Sequence, residues 1–187
     1  MREASSVIHE DRQPLHRLTS ASRRGRLFAV LDASDASWVP PFVEGMGEEH
    51  AASLYRGDPE ESYWAVAPYL VAVDPAAVEW ITRFAAPNDE GWGVFLLADV
   101  GFAELRQHLR RFLRVMGPGG ESFYFRFYDP RVLDSYLPTC TPAELDVFFG
   151  PVTAFCLLGS SISEVRVLSH DPGTTDSPRS RITIRRR

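Results

Sequence analysis

The 187-residue chain contains no lysine, only two cysteines and no long apolar run. Apolar runs such as Val94–Ala98 and Phe155–Leu158 fall far short of the roughly 20 residues that a membrane helix needs. The two cysteines, Cys140 and Cys156, do not make a disulfide framework. The first 26 residues lack the apolar stretch of a signal peptide. We therefore expect a cytoplasmic protein with no membrane partner.

Sequence patterns for catalysis, metal binding and phosphate binding are also missing. No G-x-S-x-G, C-x-x-C or H-x-x-x-H pattern occurs. The glycines of residues 117–120 precede a predicted strand, whereas a phosphate loop leads into a helix. A net charge of −5 argues against nucleic acid as a partner, because phosphates are neutralised by positive charge. We expect no catalytic residue, no metal and no cofactor.

The charges that are present are unevenly distributed. Residues 32–104 hold 14 acidic and 2 basic side chains, whereas residues 105–131 hold 6 arginines and 2 acidic side chains. A predicted helix over Phe102–Arg114 has one apolar face and carries arginines four positions apart along the other. Planar guanidinium groups pair well with carboxylates. This face is therefore solvated, or it binds carboxylates of a partner, or it binds those of the chain's own acidic region over residues 32–104. Its residues are Arg106, Arg110, Arg111 and Arg114.

Short apolar runs alternate with amphipathic segments along most of the chain. This alternation predicts an α/β fold with a mixed β-sheet flanked by helices, in a single compact domain with polar tails. The predicted strands are Arg26–Asp32, Ala52–Tyr55, Tyr69–Val73, Trp92–Leu97, Ser122–Tyr128 and Val152–Leu158. Helices are predicted over 37–46, 75–86, 102–114, 129–137 and 141–149. Asp74, Asp129 and Thr141, each followed by proline, are the expected helix caps.

Composition divides the chain into three predicted segments. Residues 1–25 are expected to form a flexible lead, residues 26–158 the α/β domain, and residues 159–187 a polar tail with room for one extra strand over Glu164–Leu168. Within the domain, the Gly-Pro-Gly-Gly turn of residues 117–120 predicts a hairpin.

The aromatic run after this turn is the strongest strand pattern. Period-two alternation predicts that Phe123, Phe125 and Phe127 share one face and lie in the core. Arg126 and Arg131 are expected to pair with Asp129 or another local carboxylate and to fix the corner between strand and helix.

Six segments, in chain order, resemble the adaptor–chaperone domain of bacterial type VI secretion, long catalogued as a domain of unknown function. They are Leu27–Asp32, Ala67–Val73, Gly91–Phe95, Leu105–Phe112, Phe123–Leu133 and Phe148–Pro151. The resemblance extends over about residues 26–158. Its most specific part is the run FYFRFYDPRVL, whose signature residues are Phe123, Phe125, Arg126, Phe127, Tyr128, Asp129, Pro130 and Arg131.

This resemblance implies a non-catalytic adaptor. Such adaptors bind a secreted effector protein in the producing cell and help to load it onto the valine–glycine-repeat spike protein. Two alternatives stay open. One is a small hydrolase or transferase that uses Cys140, or Asp32 and Asp35, which follow a predicted strand where α/β folds often place ligand groups. The other is a protein-interaction domain unrelated to secretion.

Overall fold

The structure, a computed structural model, describes residues 14–55, 64–85, 91–158 and 165–170. Its strands are β1 Leu27–Asp32, β2 Ala51–Ser53, β3 Pro68–Ala72, β4 Gly93–Ala98, β5 Arg114–Met116, β6 Ser122–Tyr124, β7 Val152–Leu158 and β8 Val165–Leu168. Its α-helices are α1 Pro14–Arg23, α2 Val39–Val43, α3 Pro75–Ala85, α4 Phe102–Leu109, α5 Pro130–Tyr136 and α6 Pro142–Phe149. Short 3-10 turns lie at Trp64–Val66, Arg110–Phe112 and Leu137–Thr139.

Six strands form one sheet in the order β2-β3-β1-β4-β7-β8, and β5 and β6 form a separate hairpin. The predicted mixed α/β class and single compact domain are confirmed. Every pairing in the sheet is antiparallel. A sheet with both parallel and antiparallel pairs was predicted, and no parallel pair occurs among the described strands. The reason lies in α3, which carries the chain from β3 past β1 to β4. The two strands that it joins run the same way but are separated by β1.

Side chains of the central strands pack on both faces of the sheet. On β1, Leu27, Ala29 and Leu31 lie in a cluster with residues of α1 and α3, whereas Phe28 and Val30 lie in a second cluster with α4, α5 and α6. Successive strand residues point to opposite faces, so a strand covered on both sides is apolar throughout. All of β1 is buried, as this arrangement requires.

The predicted lead over residues 1–25 is not uniformly flexible. Residues 14–23 form α1, and Leu18 and Ala21 are buried against the sheet and α3. Leu18 and Ala21 are three positions apart and therefore lie on one helix face. Most other residues of this segment are polar, so the sequence pattern for a buried helix is weak. Residues 1–13 and 171–187 lie outside the described residues. The extra strand expected in the tail is β8, which pairs with β7.

The predicted caps account for the helix starts. Asp74 accepts a hydrogen bond from the amide of Ala77 at 2.6 Å. Asp129 caps α5, and Thr141 forms a capping box with Glu144 at the start of α6. Each cap satisfies an amide that the first helical turn leaves without a partner.

Gly93 permits the close pairing of β4 with β1. Its φ is +144°, and a Cβ atom there would lie 2.0 Å from the carbonyl oxygen of Val30. No side chain fits at that distance, so the glycine is required where the two central strands meet.

Three predicted elements are clearly shorter than the sequence patterns suggested, and the helix over 37–46 is reduced to α2. The helix over 102–114 ends at Leu109, continues as a 3-10 turn to Phe112, and gives way to β5 at Arg114. The strand over 122–128 ends at Tyr124. The amide of Asp129 bonds to the carbonyl of Arg126, so residues 126–129 form a turn into α5.

Candidate functional site

Arginine and aspartate side chains form a network where β1 meets the corner before α5. We call Asp32, Asp35, Arg126, Asp129 and Arg131 the ion-pair network. The guanidinium of Arg126 lies 2.5 Å from a carboxylate oxygen of Asp32 and 2.7 Å from one of Asp35. These aspartates precede Arg126 by more than 90 positions. Arg126 therefore ties the end of the first strand to the second half of the domain.

The Asp32 side chain is fully buried, and both of its carboxylate oxygens accept hydrogen bonds. Its second oxygen accepts hydrogen bonds from the amide and hydroxyl of Ser34, at 2.9 and 2.7 Å. Partial burial lowers the pKa of Arg126, but the hydrogen bonds and charges of Asp35 and Asp32 raise it more, to above its usual range. The guanidinium stays charged, and the hydrogen bonds that both oxygens of Asp32 accept hold the end of β1 to Ser34 and Arg126.

Asp129 and Arg131 form the other half of the network. Asp129 accepts hydrogen bonds from the amide and Nε of Arg131, at 2.9 and 3.0 Å, and its second oxygen from Nη2 at 2.7 Å. Burial raises the pKa of Asp129, but the bonds from Arg131 lower it more, so it lies below its ordinary value of 3.8. The expected pairing of Arg131 with a nearby carboxylate is therefore present.

Gly91 lets the two halves of the network approach each other. A Cβ atom at this position would lie 2.8 Å from an oxygen of Asp35 and 3.2 Å from Nη2 of Arg131. These two side chains are themselves 3.8 Å apart. Asp35 and Arg131 thus pack directly against the backbone of the loop before β4, where a larger residue than Gly91 would collide with them.

Cys140, the candidate nucleophile, has no activating partner among the contacts that the structure gives it. Its Sγ lies 3.6 Å from the carbonyl oxygen of Tyr136, and burial raises the pKa of the thiol. Cys156 is buried in β7, where burial raises the pKa of its thiol to about 12. A thiol reacts as the thiolate, so both cysteines are in their unreactive form at neutral pH.

The four arginines predicted to share a partner-binding face have three different environments. Arg106 donates two hydrogen bonds to the carbonyl of Ser53, at 3.0 and 2.7 Å, and Arg110 donates to the carbonyls of Leu54 and Tyr55. These bonds give hydrogen-bond partners to the backbone carbonyl groups at the end of β2. Arg114 lies on β5, because the helix ends before it. The continuous stripe was therefore wrong as a helix face, although Arg111 and Arg114 are exposed.

The hairpin β5–β6 exposes four apolar and aromatic side chains, two on each face, which together we call the hairpin surface. Their exposed fractions are Val115 40%, Met116 69%, Phe123 53% and Tyr124 60%. The guanidinium of Arg114 lies 4.6 Å from the centre of the Tyr124 ring and donates to its hydroxyl at 3.0 Å. This is the densest group of exposed large apolar side chains among the described residues.

The signature residues of the run FYFRFYDPR mostly stabilise the fold. Phe127 and Tyr128 are buried, and Phe125 packs partly buried against the same cluster. The prediction that Phe123 lies in the core was wrong, because a two-stranded hairpin has no layer packed over that face. Alternation also failed for Tyr128, which is buried beside Phe127 because residues 126–129 turn.

The sequence patterns did not identify Val115 and Met116 as surface residues. The two residues lie between the predicted helix over 102–114 and the predicted turn over 117–120, and no strand was predicted there. The signal was local: two apolar residues directly before Gly117–Gly120 suit a hairpin strand better than a helix end.

Among the described residues, no group of three or more His, Cys, Asp or Glu side chains is placed to hold a metal ion. None of the helices in the described part of the chain has the length and apolar content of a membrane span.

Comparison with known proteins identifies a family. The model of a domain of unknown function, DUF4123, matches residues 27–146. No curated protein and no solved structure matches the chain.

Proposed function

We propose a function for this chain from one premise: it belongs to the family of domains of unknown function DUF4123. The proposed function is that of a non-catalytic adaptor and chaperone. In the cytoplasm of the producing bacterium it binds an effector of type VI secretion and helps to load that effector onto the valine–glycine-repeat spike protein. The sequence resemblance described above supports this assignment, and the matched residues include most of the segments that carry it.

The single observation that carries the proposal is the hairpin surface. Four of the six exposed large hydrophobic side chains of the described residues lie on this one hairpin. Val115 and Phe123 lie on one face of the hairpin, and Met116 and Tyr124 lie on the other. Each face therefore exposes a pair of apolar side chains of the kind found on surfaces that bind other proteins. Tyrosine, phenylalanine, methionine and arginine, which meet here, are the residue types enriched at such interfaces.

The engagement of the candidate catalytic residues also favours binding over catalysis. Asp32 and Asp35 are paired with Arg126, and the Cys140 thiol is held protonated by burial. A hydrolase or transferase would need one of these groups to be free and placed beside a base. The ion-pair network instead holds together the segments that carry the family resemblance.

The proposal is tested by affinity purification of the tagged chain from its native host, with partners identified by mass spectrometry. We expect one effector and the spike protein to co-purify. A matched purification with Phe123→Ser and Tyr124→Ser should lose the effector or the spike, whereas Val147→Ser should not. Val147 is equally exposed but lies on α6.

A domain that binds proteins outside secretion is the second candidate, because the hairpin surface serves it as well. Reproducible partners without an effector or a spike protein would favour this candidate and contradict the adaptor proposal. Turnover of a small compound that is lost when Cys140 or Asp35 is changed would contradict both.

A further inference from the structure

Among the described residues, no second strand pairs with the outer edge of β5, and the backbone groups of this edge point outwards. The amide of Gly117 donates to the carbonyl of Glu121 at 2.7 Å, and the amide of Phe125 donates to that of Leu113 at 2.9 Å. Hydrogen-bonded and non-hydrogen-bonded pairs alternate along an antiparallel ladder. The backbone N–H and C=O groups of Arg114 and Met116 consequently point away from β6.

This outer edge of β5 is suited to adding a strand. Its only neighbour among the described strands is β6. An isolated two-stranded hairpin is marginally stable in water, and a third strand is the usual means of stabilising it. An unpaired edge that also carries exposed apolar side chains is a template for a strand from another chain.

Charge indicates what kind of strand would bind. Arg111 and Arg114 are exposed, and neither forms an ion pair with a carboxylate among the described residues. Arg114 lies on one face of β5, and Val115, which is paired with Phe123, lies on the other. An added strand would therefore place an acidic side chain beside Arg114 and an apolar side chain beside Val115.

We propose that the outer edge of β5 binds an extended segment of the cargo protein in which acidic and apolar residues alternate, and that this segment adds to the hairpin as a third strand. The inference rests on the proposed function, since it assigns the adaptor's cargo to one edge of the molecule. Backbone hydrogen bonds supply affinity, and the alternation of side chains supplies specificity.

The test combines photocrosslinking with one pair of variants. Phe123 is replaced by p-benzoylphenylalanine, the full-length chain is expressed in its native host, and the crosslinked segment is mapped by mass spectrometry. We expect a segment of another protein that alternates acidic and apolar residues. The same crosslinker at Ala76, an exposed position on α3, is the control.

Met116→Pro and Met116→Ala are the matched variants. Both remove the methionine side chain, but only proline removes the outward N–H and obstructs the edge. Met116→Ala measures the loss of the methionine side chain from the hairpin surface, and we expect Met116→Pro to lower the crosslinking yield about fivefold to tenfold further. Hydrogen exchange at the Phe125 amide shows whether the hairpin itself remains formed in each variant.

Four results would overturn the inference: no crosslink at position 123, a crosslink to a second copy of this chain, a mapped segment without acidic residues, or equal crosslinking by both variants with the hairpin intact. The affinity purification separates this failure from that of the proposed function. If an effector and a spike protein co-purify while position 123 gives no crosslink, the adaptor function stands and the edge is wrong. If neither co-purifies, the function itself fails.

Discussion

Arg126 is the residue on which the ion-pair network depends most. It contacts both Asp32 and Asp35. Asp32 also accepts hydrogen bonds from Ser34, and Asp35 is partly exposed to solvent. Removing the guanidinium leaves the buried carboxylate of Asp32 with hydrogen bonds from Ser34 only. An uncompensated buried charge is far more costly than the loss of an exposed ion pair.

We expect Arg126→Leu to lower the free energy of unfolding by about 3 kcal/mol at neutral pH. Urea denaturation followed by tryptophan fluorescence measures this change. Asp35→Asn is the control, because Asp35 is partly exposed and its amide can still accept a bond from Arg126. Exposed ion pairs typically contribute less than about 1 kcal/mol. If Arg126→Leu lowers the free energy of unfolding by no more than that, the buried carboxylate of Asp32 does not depend on Arg126.

Asp129 gives a prediction for the dependence of stability on pH. Its pKa is lower in the folded chain than its ordinary value of 3.8. Such a carboxyl stabilises the fold above the unfolded pKa, and this contribution is lost as the pH falls through the folded pKa. Asp129→Asn keeps an oxygen that can cap α5 but removes the charge that pairs with Arg131.

The wild-type chain should therefore be more stable than Asp129→Asn by about 1–2 kcal/mol at pH 7, the worth of charged hydrogen bonds. The difference should stay constant down to about pH 5 and shrink as the pH falls below about 4. Thermal unfolding of both proteins across this range measures it. A difference that grows on acidification would contradict the assigned direction of the pKa.

At the scale of elements, local patterns were reliable where the signal and its cause lie within a few residues. Asp74, Asp129 and Thr141 satisfy amides within the first turn of their own helices, so cap and proline were sufficient evidence. The ends of α4 and β6 were misplaced because their continuations are decided by pairing and turning. Arg114 fits the helical spacing of its neighbours, but its pairing with Tyr124 places it in a strand.

The arginines of α4 give a prediction at this scale. Arg106 joins the helix to the end of β2 through the Ser53 carbonyl, whereas Arg111 is exposed on the 3-10 turn that follows. Arg106→Gln should lower the free energy of unfolding by about 1–2 kcal/mol, because a carbonyl loses two charged hydrogen bonds. Arg111→Gln should change it by less than about 0.5 kcal/mol.

Chemical denaturation of the two variants beside the wild-type chain tests this difference. Equal effects would mean that the helix is not fastened to β2 through Arg106. The comparison also separates the two roles that the stripe of arginines was given, since a structural arginine affects stability and a surface arginine affects binding.

At the scale of the whole molecule, the contacts that define the candidate site are long-range ones. Arg126 and Asp32 are 94 positions apart, and no pattern in the sequence specifies that they meet. The sequence predicted that both segments were structured and that Arg126 would pair with a carboxylate. Its local candidate, Asp129, pairs with Arg131, whereas Arg126 pairs with Asp32 and Asp35, because that pairing follows from the order of strands. Likewise, alternation described the two faces of β6 but did not show that both are exposed.

The distribution of charge gives the last prediction. The chain carries a net charge of −5, yet Arg111 and Arg114 are exposed and form no ion pair with a carboxylate of the described residues. Complementary charge raises the association rate and makes it depend on salt, because screening shortens the range of attraction.

The double variant Arg111→Gln, Arg114→Gln should therefore bind the co-purified effector more slowly at low salt, by about threefold to tenfold. Its rate should also fall less steeply as salt is added. Stopped-flow or surface-based kinetics from 20 mM to 500 mM salt, roughly the span over which the Debye length falls several-fold, measures both slopes. Parallel slopes for the variant and the wild-type chain would place the partner's acidic residues elsewhere on the molecule.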